Sequence, residues 1–307
     1  MTAASGTPPV RPSPAPRPLK RDELDARRFP ETLCDRLFAA VLVDDEIDDD
    51  LCLPDAVQVD LTPEQLVDCF RLCRQLWIEG FDRETLVRQV GILVREHDLA
   101  PDDRLRLKHI RAKFKHFRYA HALYDASHRY PPMLDRVTIT MGQVQDAYRN
   151  HRGGAVALRA AMLRLMLTGP AVRRLRSEGD RLRPATPADF RTRLAADLAV
   201  LEALVARPTV TGHAFHAARK VIGRQVSFWD TLRTLEPTED RFRLSRWLSA
   251  INGEMGALHD RLVERRAENR ASYATAFTLP EAVRQRIDAL NGRMRVALRP
   301  ERPRPRR

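Results

Sequence analysis

The sequence predicts an all-α fold, and three observations carry that prediction. Helix-start signals recur along the chain, period-2 alternation of any length is absent, and glycine (13 of 307 residues) and aromatic residues (6%) are scarce. Thr62-Pro63-Glu64, Asp82 with Glu84 following, Pro101-Asp102-Asp103, Thr186-Pro187-Ala188-Asp189 and Leu279-Pro280-Glu281 are the start signals. Each places a cap or a proline where the first backbone N–H groups have no helical partner, with acid in the first turn to meet the positive end of the helix dipole.

Taken in order, residues 1–30 read as a disordered, Pro-rich leader, because six prolines fall in the first 20 residues and leave nothing to pack. Helices follow at 31–42, 63–78, 83–97, 102–126 and 131–150, the last opening after Pro131-Pro132. Next come 154–167, 170–179, 187–206, 210–234, 238–270 after Pro237, and 280–297. The tail 296–307 is basic and Pro-rich.

Residues 104–121 are the most unusual stretch: ten Lys, Arg or His side chains and no carboxylate. At 3.6 residues per turn, Lys108, Arg111, Lys115 and Arg118 fall on one stripe, and Ile110, Phe114, Phe117, His121 and Tyr124 on another. The second stripe is a buried face. The first is a ladder of like charges, which repel at i,i+3 and i,i+4 and are relieved when a polyanion lies along them. A solvated charged face is the plain alternative.

Net charge points the same way. The chain carries +12 at pH 7, yet residues 31–68 hold twelve acidic residues against one basic, leaving about +20 on 69–307. Such a field attracts nucleic acid, polyphosphate or an anionic membrane surface. No apolar run approaches the roughly 20 residues of a membrane span, and the N-terminus has no apolar signal core, so neither insertion nor secretion is expected. Cys34, Cys52, Cys69 and Cys73 include no CxxC pair and no nearby histidine, and read as buried free thiols in a reducing cytoplasm. The acidic run at 44–50 reads either as a solvated linker or as an intramolecular occupant of the cationic surface. It lacks the ligand pattern of a calcium loop.

An internal repeat organises the rest. One copy opens with the basic helix at Lys108 and passes through Met141-Gly142…Asp146. The other opens at His216-Ala-Ala-Arg219-Lys220-Val-Ile-Gly-Arg224 and passes through Met255-Gly256…Asp260. In each, a turn near proline joins a basic helix to an amphipathic helix carrying Met-Gly-x-x-x-Asp. Glycine inside a helix costs nearly 1 kcal/mol relative to alanine, so two matched glycines point to close helix–helix approach. A spacing above one hundred residues fits a duplicated bundle and not a solenoid.

These paired motifs, a His-x-x-Arg-(Lys/Arg) helix followed by a Gly-x-x-x-Asp helix, resemble the CHAD family, the conserved histidine α-helical domain, over 100–295. The resemblance implies two helical bundles related by a pseudo-two-fold (about 100–180 and 187–295) with a central basic cleft. It also implies non-catalytic binding of inorganic polyphosphate, with polyphosphate granules as a place of action. The N-terminal segment 31–99 lies outside it. Position by position it implies ligand contacts from Lys108, Arg111, Lys115, Arg118, His216, Arg219, Lys220 and Arg224, supported by His109, His116, Asp146 and Asp260. Three departures stand out: Lys108 occupies the place of the family's histidine, Gly223 stands where Lys or Arg is frequent, and Gln145 precedes Asp146.

No catalytic residue, metal or cofactor is expected. A phosphate-compound hydrolase needs clustered carboxylates for a metal, and the only cluster is the acidic run. The Glu-x-Glu-x-Lys strand of the triphosphatase domain fused to some relatives is absent. A nucleic-acid-binding helical protein is the second reading, supported by the basic termini, although no aromatic platform, zinc finger or clear helix-turn-helix is visible. Trp77, Trp229 and Trp247 read as core.

Overall fold

The computed structural model describes residues 16–48, 50–267 and 274–299. Among them it has twelve helices and one short strand pair. The helices are α1 (Arg21–Asp25), α2 (Glu31–Leu42), α3 (Pro63–Glu79), α4 (Arg83–Glu96), α5 (Pro101–Tyr124), α6 (Pro132–Arg149), α7 (Gly153–Met166), α8 (Gly169–Gly179), α9 (Pro187–Val205), α10 (Gly212–Leu235), α11 (Glu239–Ala267) and α12 (Glu281–Ala297). Strands β1 (Val210–Thr211) and β2 (Ala276–Phe277) pair antiparallel.

The expected start signals do their work locally. Thr62 accepts from the Gln65 amide while the Gln65 side chain accepts from the Thr62 amide, and Thr186 and Asp189 form the same reciprocal box. Asp82 accepts from the Thr85 amide, and Thr211 from that of Ala214. At the far end of α4, His97 adopts a left-handed conformation (φ 63°) and its N–H reaches the Leu93 carbonyl, which stops the helix one residue before the expected end.

α3 packs on α5, α4 on α7 and α6 on α7, while α9 meets α12 and α10 meets α11. α5 and α10, the two basic helices, touch each other directly, and α2 lies against both. One apolar cluster runs through most of the arrangement, from Leu66, Phe70 and Trp77 through Phe114 and Phe117 to Phe190, Phe228 and Met255, and a second, smaller one joins α2 to α3 through Leu37, Val41, Leu72 and Leu76. Trp77 stacks on Phe117 at 4.8 Å and meets Phe114 edge-on at 5.7 Å. Ile110, Phe114, Phe117, His121 and Tyr124, the stripe read as a buried face, are all buried. Trp77 and Trp229 are buried too, whereas Trp247 is half-buried and its Nε1 donates to the Arg286 carbonyl at 3.3 Å.

Three sequence expectations change. The division at 99/100 is not a packing boundary, because α3 and α4 supply the partners that α5 and α7 need to bury their apolar faces. The leader is not disordered through residue 30. Residues 1–15 lie outside the described residues, but Leu19 bridges to Leu182, Leu24 and Phe29 are buried, and Asp25 pairs with the buried Arg74 at 2.6 Å. Cys34, Cys69 and Cys73 are buried as expected, with burial pushing the Cys73 thiol up to about 12, while Cys52 is exposed. Within the described residues no single helix is long and apolar enough to cross a membrane. Asp49 and residues 300–307 of the basic tail lie outside them as well.

Candidate anion site at the meeting of two basic helices

α5 meets α10 where Tyr119 faces Gly223. A methyl group at 223 would stand 2.9 Å from the Tyr119 hydroxyl, so the glycine that replaces a cation here lets the two helices close up. Burial pushes the Tyr119 phenol up, but Lys115, Arg118 and Arg224 around it pull its pKa below the ordinary value.

His116 holds the same pair of helices together from inside. Its Nε2 lies 3.0 Å from Thr231 Oγ1 and its Nδ1 3.1 Å from Ser227 Oγ. Thr231 spends its single hydroxyl proton on the Ser227 carbonyl at 2.8 Å, so Nε2 is the donor and Nδ1 accepts from Ser227. Burial lowers the His116 pKa to about 4, which keeps the ring neutral. Its role is to join helices.

The predicted cations divide into two groups. The first is committed to carboxylates that come from other elements. Arg224 grips Asp197, with Nη2 to Oδ1 at 2.6 Å and Nε to Oδ2 at 3.3 Å, and reaches the Tyr130 hydroxyl at 3.0 Å. Although burial opposes its charge, Asp197 holds its pKa above the ordinary guanidinium value. Arg118 donates to Asp135 at 2.9 Å beneath the ring of Tyr130. Lys115 Nζ meets Asp44 Oδ2 at 2.7 Å. The ladder without local acids thus acquires acids in three dimensions, and the carboxylate on Lys115 belongs to the acidic run.

The second group has no such partner. Arg111 forms no ion pair among the described residues, and its Nε is buried with nothing to bond. Burial lowers its pKa; Asp146 and Tyr119 raise it, while Arg118 and Arg219 push it down further. Arg219 therefore lies close enough to Arg111 for the two charges to repel. Arg219, Lys220 and Lys108 likewise form no ion pair among the described residues, and Lys108 and Lys220 are exposed.

Both repeated glycines lie under arginines of this group, so what approaches them is a side chain and not the expected helix backbone. A methyl at Gly142 would stand 2.8 Å from Arg111 Nη2, and one at Gly256 would stand 3.4 Å from Arg219 Nη2. Met141 and Met255, just before them, are fully buried. Asp146 and Asp260 converge on Arg149, whose Nη2 is 3.8 Å from Asp146 Oδ1 and whose Nη1 is 3.1 Å from Asp260 Oδ2. Sequence reading missed Arg149; its spacing three residues after Asp146 was the available signal. His216 stands beside His259, ring centres 5.5 Å apart, with its Nδ1 buried and unbonded. Burial first, then Lys220, His259, Arg219 and His213, lower its pKa to about 4.

His109 does not join this site. It turns toward α2 and meets Phe38 edge-on at 5.2 Å, because it sits on a different face of α5 from Arg111. The site residues brought together are therefore Arg111, Arg219, His216, Asp146 and Asp260, with Lys115, Arg118 and Arg224 grouped around Tyr119. Comparison of the chain with protein-family models, with curated proteins and with solved structures yields no match in any of the three.

Proposed function

We propose that the chain binds inorganic polyphosphate, without turnover, along the cationic surface formed by α5 and α10. The observation that carries this reading is Arg111. Half-buried, with its Nε enclosed and unbonded, it forms no ion pair among the described residues and lies close enough to Arg219 for the two charges to repel, so a bound phosphate would supply the missing partner. Arg219, Lys220 and Lys108 extend the unpaired positive charge to the surface. His216 adds a ring nitrogen that an anion could recruit as a donor once it offsets the neighbouring cations.

The two arginine-on-glycine placements, Arg111 on Gly142 and Arg219 on Gly256, support a duplicated unit with a shared cleft between the copies. They agree with the resemblance to the CHAD family, whose implied ligand is polyphosphate and whose place of action is the polyphosphate granule. Arg224, and in part Arg118, serve this site by shaping it, since their own charges are already answered.

A competition assay tests the reading. Long-chain polyphosphate, single-stranded RNA and double-stranded DNA would be offered at matched phosphate concentration. Polyphosphate should displace both nucleic acids at low excess. Preferential retention of RNA or DNA would instead make this a nucleic-acid-binding protein.

A further inference from the structure

Over residues 44–48 the acidic run is held against the helices. Residues 43–48 fold back over α5 and α11 and are held by contacts from three elements. Asp44 pairs with Lys115 of α5 at 2.7 Å. On α11, Arg246 donates to the Val43 carbonyl and to Glu46 Oε2, each at 3.0 Å, and Asn252 donates to the Asp44 carbonyl at 2.7 Å. Arg286 of α12 donates to the Asp48 carbonyl at 3.3 Å. Gly253 completes the seat, because a methyl group there would overlap the Asp45 carbonyl oxygen and press on Ile47.

We propose that residues 43–48 are a built-in anionic strap that competes with the polyanion for Lys115 and Arg246. The inference rests on the polyphosphate reading of the same surface. Asp44 occupies a lysine one helical turn from the unpaired Arg111, so a ligand lying along α5 meets the strap at its next contact. Three of the four α11 and α12 contacts go to backbone carbonyls, which gives the strap a defined seat independent of its charge. The ion pair with Lys115 is part-exposed, and such pairs are weak enough for a multivalent phosphate chain to displace. An occupant that must leave first lowers apparent affinity by the fraction of time it is seated.

Gly253→Ala tests this without altering a single charge. It unseats the strap by a steric clash with backbone and favours the α11 helix. A second variant, Asp44→Asn with Glu46→Gln, keeps the seat and weakens the strap's charge, and Glu84→Gln with Glu96→Gln on α4 is its charge-matched control. Polyphosphate affinity of the full chain would be measured at low and at high salt, with circular dichroism to confirm folding. Both strap variants should bind roughly tenfold tighter than wild type at low salt, the gain should shrink at high salt, and the control should change little. Equal affinity of wild type and both strap variants overturns the strap while leaving polyphosphate binding intact. Failure of wild type and every variant to bind overturns both. Binding by the strap variants alone supports the strap in its strongest form. A gain in the control equal to that of the charge-weakened strap, with none from Gly253→Ala, reduces the effect to bulk charge and overturns the proposal.

Discussion

The guanidinium of Arg111 lies over the backbone of Gly142, close enough that a methyl group there would stand 2.8 Å from Nη2. The missing side chain on α6 is what lets a guanidinium from α5 lie across that helix.

Gly142→Ala should therefore weaken polyphosphate binding several-fold. Alanine favours the helix by nearly 1 kcal/mol, so thermal stability should hold or rise even as Arg111 is pushed aside. The same change at Gly256, where the gap is wider at 3.4 Å, should have the smaller effect. Titration with polyphosphate alongside thermal melts checks this, and unchanged affinity in Gly142→Ala would mean that this placement of Arg111 is irrelevant to binding.

Arg224 and Arg219 should behave as opposites. Arg224→Ala leaves the buried Asp197 with only Arg193 and Gln225 and should destabilise the fold by about 1–3 kcal/mol, whereas Arg219→Ala should stay within about 0.5 kcal/mol of wild type. Denaturant titrations distinguish them. Equal stability of the two variants would contradict the division of the cations into committed and unpaired groups.

Acid should loosen the fold before it reaches the carboxylates. His116 and His121 are buried with pKa values near 4, against an ordinary value of 6.5. Between those limits the unfolded chain holds protons that the folded chain refuses, so stability falls as pH drops through about 6.5 to 4, by up to about 3 kcal/mol per histidine. Asp230, raised to about 6 by burial, works in the opposite direction over the lower part of that window. His121 lies among Phe70 and Phe117, so His121→Phe should keep the packing and remove part of the acid sensitivity. Denaturant midpoints at pH 7 and pH 5 that shift equally in wild type and variant would contradict this.

Much of the fold was legible because helix starts are local. Thr62, Asp82, Thr186 and the prolines at first helical positions fix where α3, α4, α5, α6 and α9 begin, and the two stripes of α5 followed from its period alone. The five-residue α1 was not legible, because it depends on tertiary contacts such as Leu24 in the core and Asp25 on Arg74. The β1–β2 pair joins residues more than sixty positions apart. For the site, the cations were visible but their partners were not. Asp135, Asp197 and Asp44 reach Arg118, Arg224 and Lys115 only through packing of separate segments, and no spacing rule links them.

The most direct test is the salt dependence of polyphosphate binding in wild type and in the Arg111→Ala, Arg219→Ala double variant. If each arginine neutralises one phosphate, log K should fall linearly with log salt in wild type. By analogy with nucleic acids, the double variant should bind more weakly with a slope smaller by about 2. Its helical circular dichroism should be unchanged, and neither protein should release orthophosphate. An unchanged slope and affinity in the double variant, or release of orthophosphate by the wild type, would contradict a non-catalytic polyphosphate site built on these two arginines.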